Sequence, residues 1–436
     1  MFLSDVAADL AAETTNVNSL WLMVAAALVL IMTPGVAFFY GGMVKAKSVI
    51  SMMMMSFGAI GLVGVLWVIY GYSMSFSSGD DWLIPHVLAN PFADLFLHKE
   101  IFADGGTAVG NMTPDIHGLA FAGFQATFAI ITVALISGAI ADRAKFSSWM
   151  IFAGVWATVV YFPVASWVFN FTIGDGPHGY SDGGWSVYGL GVNDFAGGTA
   201  VHINAGAAGL ALALVLGKRV GFAKGMAKPH NVPLTLLGAA LLWFGWFGFN
   251  AGSEGAADGI SALAWINTLG APAAAIIGWL IVEKIKDGKP TSIGAASGAV
   301  AGLVAITPAC NILTPGWGLL LGLLVGAVCA VAVELKFKLG FDDSLDVVGI
   351  HLIGGLIGTL YIGIFGSGIG LIDSGSFYQL GAQAIGAFGV GIYSFVLAFI
   401  IGIIIEKTIG FRIKTEDEIA GVDSVVHGEE SYAFAE

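Results

Sequence analysis

Membrane-length apolar runs recur along almost the whole chain, and they decide what it can fold into. A run of about 20 apolar residues can cross roughly 30 Å of hydrocarbon. No water is present there to bond backbone N–H and C=O groups, so only a helix or a closed barrel satisfies them. Eleven such stretches occur, at 18–43, 48–76, 117–141, 148–172, 195–217, 232–252, 259–283, 291–307, 315–337, 346–368 and 380–406. Of the 436 residues 57% are hydrophobic and only 11% charged, with a mean hydropathy of +0.86, whereas about a quarter of the residues of a soluble domain are charged. These runs predict an all-α integral membrane protein with eleven transmembrane helices. The 63 glycines suit such a bundle, because small residues let helix backbones approach where no hydrophobic force drives them together.

Basic residues test the count independently, since loops on the cytoplasmic side carry the excess of Lys and Arg. Lys45 and Lys47 follow the first run, Arg143 and Lys145 the third, and Lys218, Arg219, Lys224 and Lys228 the fifth. Lys284, Lys286 and Lys289 follow the seventh, Lys336 and Lys338 the ninth, and Lys407, Arg412 and Lys414 the last. Of all 17 basic residues only Lys99 falls after an even-numbered run. The expected topology is therefore N-terminus out and C-terminus in, a multi-pass protein of the cell membrane. The chain divides into a membrane domain, 1–406, and a cytoplasmic tail, 407–436, while the loop 77–116 is expected to form an external cap. The first residues hold no Lys or Arg and so lack the n-region of a signal peptide. A net charge of −13 argues against nucleic-acid binding.

Two histidines lie inside these runs, His202 in DFAGGTAVHINAG and His351 in DVVGIHLIGG. An imidazole in hydrocarbon has polar nitrogens that lipid cannot satisfy, so such residues face a bundle interior or a path and mark a site. Aligned on the histidines, Gly206 matches Gly355, Gly209 matches Gly358 and Gly217 matches Gly366. The matched runs are the fifth and tenth, and five is odd. The second copy thus enters the membrane from the opposite side, as in the inverted repeats of many transporters. A five-plus-five inverted repeat with one extra helix follows.

Two imidazoles can ligate a metal or haem, relay protons, or line a narrow path. A zinc site wants three or four protein ligands, and neither run offers a third. Bis-histidine haem stays open on ligand count. Asp194 and Asp346 each precede a histidine and are expected to support structure by capping a helix start, with Asp342 and Asp343 as solvated loop or cap residues. Cys310 and Cys329 read as inert small residues. Phe124 and Phe128 in GFQATFAIIT, and Phe249 followed by Ser253 in WFGWFGFNAGSEG, could recruit a small cation through ring faces and a hydroxyl.

The strings PGVAFFYGGMVKAKSV, FQATFAIITVALISGAIADR, DFAGGTAVHINAG, WFGFNAGS and DVVGIHLIGG resemble signatures of the ammonium transporter family (Amt/Mep/Rh), on its Amt/Mep side. The resemblance runs through all eleven segments in order. It implies a homotrimer in which each protomer has its own pore, with His202 and His351 as the twin histidines, Asp194 as the structural aspartate, and Phe128 and Phe249 as a stacked gate. Phe128 and Ser253 would join an outer ammonium site. The tryptophan usual in that site is missing from YFPVASWVFNF: Phe169 takes its place, or Trp167 or Trp185 substitutes. The implied function is recruitment of ammonium (with methylammonium as analogue), its deprotonation, and conduction of ammonia without a cofactor. A trimeric PII signalling protein is an implied partner at the cytoplasmic face. The competing readings are an ammonium sensor, which predicts a long fused signalling domain after the last run, and a haem-based redox enzyme.

Overall fold

The computed structural model describes residues 2–101, 111–113, 116–222 and 228–432. Lys224, parts of the 77–116 loop and the last four residues of the tail lie outside the described residues. Among the described residues ten helices are long and apolar enough to cross a membrane. They are α1 (Leu10–Met43), α2 (Val49–Phe76), α3 (Gly118–Ile140), α4 (Phe146–Val168), α5 (Gly198–Leu216), α6 (Val232–Gly252), α7 (Gly259–Lys286), α9 (Pro315–Leu339), α10 (Val348–Phe365) and α11 (Tyr378–Thr408). The shorter apolar α8, Ser292–Ile306, lies between α7 and α9. Every apolar run of the sequence has its helix. The first helix starts eight residues earlier than its run, at Leu10, while α4 ends early, where the chain leaves the helix and Phe171–Ile173 pairs in an antiparallel hairpin with Tyr180–Gly183. Asn170, at that exit, is 3% exposed and gives its amide to Ser77 O instead.

Loops after odd-numbered helices meet at one end of the bundle. Arg219 binds Asp142 and Asp342, Lys286 pairs with Glu334, and Lys145 N donates to Phe411 O. Loops after even-numbered helices meet at the other. There Trp185 N bonds His86 O, the Asn193 amide bonds Pro308 O, and the Tyr378 hydroxyl reaches Leu190 O. Helix α8 runs between these two ends, since Thr291 at its start bonds Glu283 and Pro308 beyond its finish meets Asn193. We call the end rich in Lys and Arg the basic face.

Helices α5 and α10 carry the repeat into three dimensions. Both open with a wide π-helical turn, Gly198–Ile203 and Val348–Leu352. Their crossing is reciprocal: a methyl on Gly206 would meet Leu352, and one on Gly355 would meet Ile203. Each glycine thus admits the residue three before its own counterpart, as a two-fold relation between the copies requires. Helix α11 then packs outside the pair, with Ser394 Oγ bonded to Asn204 O.

The acidic residues correct one expectation. Asp346 does not cap α10; Asp343 does, accepting from Val347 N and Val348 N at 3.1 and 2.7 Å. Asp346 takes a left-handed backbone (φ 66°) and turns its carboxylate to Lys336 Nζ at 2.6 Å. Nor are Asp342 and Asp343 solvated. Both are fully buried, and Asp342 grips Arg219 through both oxygens. Spacing explains the exchange, because Asp343 stands eight residues before His351 as Asp194 stands eight before His202.

Candidate functional site

Four helices meet around a file of rings. Phe128 of α3 and Phe249 of α6 lie face to face, with centroids 4.1 Å apart and planes 17° from parallel. Below Phe249 comes His202 of α5 at 6.1 Å, and then His351 of α10, whose Nδ1 is 3.3 Å from His202 Nδ1. All four side chains are nearly inaccessible. A short nitrogen–nitrogen contact between rings only 19° from parallel is that of one shared N–H, which requires one Nδ1 to be unprotonated. The donor ring then has a bare Nε2 and the acceptor ring an Nε2–H. His202 Nε2 is buried without a partner among the described residues, so a polar edge faces the interior.

Local sequence explains this placement. The Asp194 carboxylate accepts from the backbone N–H groups of Gly197, Gly198, Thr199 and Ala200, and from the Thr199 hydroxyl. These groups include the unpaired donors of a helix start, so the aspartate pins the turn from which His202 projects. Asp343 does the same for His351 with two donors. Gly197, at φ 107°, gives the left-handed turn that lets the chain fold back over the carboxylate. Trp246, one turn before Phe249, lies beside the His202 ring at 5.4 Å and is held by an N–H bond to Thr307 Oγ1 at 2.8 Å. Sequence reasoning gave Trp246 no role, although its three-residue offset from Phe249 puts both on one helix face.

Toward the end opposite the basic face, Phe169 sets its edge against Phe128 at 6.0 Å, and Ser253 closes α6 with its hydroxyl bonded to Phe249 O. Glu254 comes next, and burial, with the charge of Asp258 adding to it, pushes its carboxyl up to about 7. Trp167 points elsewhere. Its N–H is fixed to Val87 O at 2.6 Å, and its ring packs on Trp185 and Tyr393. Of the three aromatics left open by sequence, only Phe169 contacts the ring file.

The arrangement limits the chemistry. Among the described residues no three His, Cys, Asp or Glu side chains gather as a metal site. A haem iron between two imidazoles on opposite sides of it, with bonds of about 2.0–2.1 Å, would hold the nitrogens roughly 4 Å apart. The 3.3 Å contact leaves room for no iron between the rings. Cys310 and Cys329 are buried and unpaired.

Comparison with known proteins points one way. Residues 20–432 match the family described as the Ammonium Transporter Family. An ammonium transporter of Mycobacterium tuberculosis (strain H37Rv) is 50% identical over 439 residues, covering 96% of this chain and 90% of that protein. One from Bacillus subtilis (strain 168) is 41% identical over 95% of this chain and 98% of its own length. Among solved structures, Saccharomyces cerevisiae Mep2 superposes with a TM-score of 0.79 at 32% identity, over 92% of this chain and 90% of that one. A protein described as a sensor Amt superposes with a TM-score of 0.86 at 27% identity, over 95% and 99%.

Proposed function

The chain belongs to the ammonium transporter family, and we propose that it recruits ammonium at the face opposite the basic loops, deprotonates it, and conducts ammonia between His202 and His351. The observation that carries this reading is the buried file Phe128–Phe249–His202–His351. An ion would have to shed its water there at great cost, whereas a neutral solute would not. The shared N–H leaves the pair with one donor and one acceptor edge, and ammonia can both donate and accept. Phe128, Phe169 and Ser253 form the recruitment site, the stacked Phe128 and Phe249 the gate, and Asp194 with Asp343 the scaffold. Trp167 serves the outer cap.

On this reading α8 is a span despite its length. The membrane domain, 1–406, then has eleven helices in a five-plus-five inverted repeat, with α11 added outside. The N-terminus lies outside the cell and the basic face with the 407–436 tail inside. A homotrimer, and a PII-type partner at the basic face, follow from family membership rather than from any contact of this chain. The test is uptake of labelled methylammonium by cells or proteoliposomes. His351→Ala and His202→Asp should each cut uptake or its selectivity over potassium by at least about tenfold. Unchanged uptake in both would exclude the twin-histidine path. A sensor reading, favoured by the likeness to the sensor Amt, predicts ammonium binding with no flux above empty liposomes.

A further inference from the structure

Among the described residues, less of α11 is buried than of any other span. Along its middle it leaves an apolar slot of about 240 Å³ over the crossing of α5 and α10. The floor of this slot belongs to the repeat. Ile203 and Leu352 directly follow the paired histidines, and Ala207 and Leu356 stand five residues after them. The wall and the mouth belong to α11, through Phe388, Gly391, Ile392 and Phe395. Because α11 packs on both helices at once, it bridges the line where they cross and leaves the gap beneath. A methyl on Gly391 would meet Ile203 at 3.3 Å.

Ile203 and Leu352 are also the side chains that the reciprocal glycines, Gly355 and Gly206, admit. Whatever fills the slot therefore presses on the two residues that lock the π-helical turns carrying His202 and His351. Every lining residue is apolar. Cavities of about 150 Å³ lined by Leu, Ile and Phe stay dry and take up apolar guests, and an empty one forfeits the dispersion contacts of its walls. Gly391 lies near the middle of the 31-residue α11, and the rim residues Phe388 and Ile392 are 53% and 64% exposed. At that depth of a bilayer the material outside the protein is acyl chain. A headgroup or an ion would find no polar partner in the slot.

We propose that the slot is a lipid site: it takes the end of one phospholipid acyl chain, which braces the crossing that holds the histidine pair. The chain enters between Phe388 and Ile392 and lies along Leu352 and Leu356. The site stands apart from the ammonia path, and only the effect of its occupant on flux rests on that reading.

Photolabelling tests occupancy by itself. The full chain is reconstituted with phosphatidylcholine carrying a diazirine at the acyl methyl end, and labelled residues are mapped by mass spectrometry. Leu352, Leu356 and Phe395 should be labelled severalfold more than Ile404, which is 56% exposed on α11 outside the slot. Ile392→Trp, closing the mouth, and Ala207→Phe, filling the slot from its floor, should each abolish the difference. Ile392 faces outward, so its variant reads the site even if Ala207→Phe fails to fold. Labelling no higher in the slot than at Ile404, or unchanged by Ile392→Trp, would overturn the site, and labelling at Ile404 with none in the slot would overturn it in favour of a second copy as the cover. Flux supplies the second arm. Replacing straight chains by methyl-branched ones should lower methylammonium uptake by the wild type about two- to threefold, the effect of losing a few dispersion contacts, and leave Ile392→Trp unaffected. Equal sensitivity of the two proteins would overturn the bracing role. Wild-type vesicles with no flux above empty ones would instead remove the ammonia path, while the labelling still decides the lipid site.

Discussion

A single carboxylate fixes the helix start behind each of the two paired histidines, and its removal is the sharpest test at the level of residues. Asp343→Ala leaves the N–H groups of Val347 and Val348 buried and unpaired at about 1–3 kcal/mol each. The thermal midpoint of the purified protein should fall by several degrees, and an unchanged midpoint would contradict the capping role. Glu254 gives a pH test of its own. Its carboxyl is raised from 4.5 to about 7, so between those values the folded protein keeps a proton that the unfolded chain releases. Stability is therefore lost as pH rises through this window. Glu254→Gln should flatten that dependence, gaining on the wild type in midpoint from pH 5 to pH 8. A constant difference across the range would mean that Glu254 ionises normally in the folded state. Phe169→Ala should raise external half-saturation for methylammonium by about two- to thirtyfold, the span of cation–π energies, while Trp167→Phe leaves it nearly unchanged.

Between elements, contact is set by glycine. A methyl on Gly358 would strike the Ala305 carbonyl of α8, whereas one on Gly123 of α3 would touch nothing within 4 Å. Gly358→Ala should therefore cost about 1–3 kcal/mol through overpacking and reduce flux by separating α8 from α10. Gly123→Ala should be neutral or slightly stabilising, since it only removes chain freedom from the unfolded state. Equal midpoints for the two variants would show that the α8–α10 contact yields. The same elements show what sequence makes legible. Apolar runs, loop charges and glycine register sufficed for the helices, their alternation and the pairing of α5 with α10, because each follows from period or from burial in hydrocarbon. That Asp343 rather than Asp346 caps α10 was hidden by its neighbours: the three aspartates of FDDSLD look alike until backbone direction says which one faces the helix start. Trp246 was hidden among aromatics of one span, where any face could have been the lipid side. Trp167 and Phe169 are two residues apart, and only the end of α4 at Val168 turns one to the cap and the other to the ring file.

Across the whole molecule, the tail ties distant helix ends together, where composition alone allowed a solvated end without a role. Glu418 in the short helix Thr415–Ala420 is fully buried, binding Arg412 at 2.8 Å and accepting from Val220 N just past α5 at 2.6 Å. Five residues on, Asp423 caps the start of α2, accepting from Ile50 N and Ser51 N at 3.1 and 2.8 Å across 372 residues of sequence or more. Lys47 reaches back to the carbonyls of Ile419 and Ala420, and His230, ahead of α6, bonds the Tyr432 hydroxyl at 2.8 Å. One short segment therefore holds the ends of α2 and α5 and the approach to α6. If these anchors act as one unit, breaking the Asp423 cap, worth about 1 kcal/mol, should loosen contacts it does not touch. Asp423→Ala is expected to speed hydrogen exchange at Ile50 and Ser51 directly and at Val220 indirectly, because release of the tail withdraws Glu418. Faster exchange at Ile50 and Ser51 with Val220 still protected would mean that the two anchors hold independently and that the tail transmits nothing between α2 and α5.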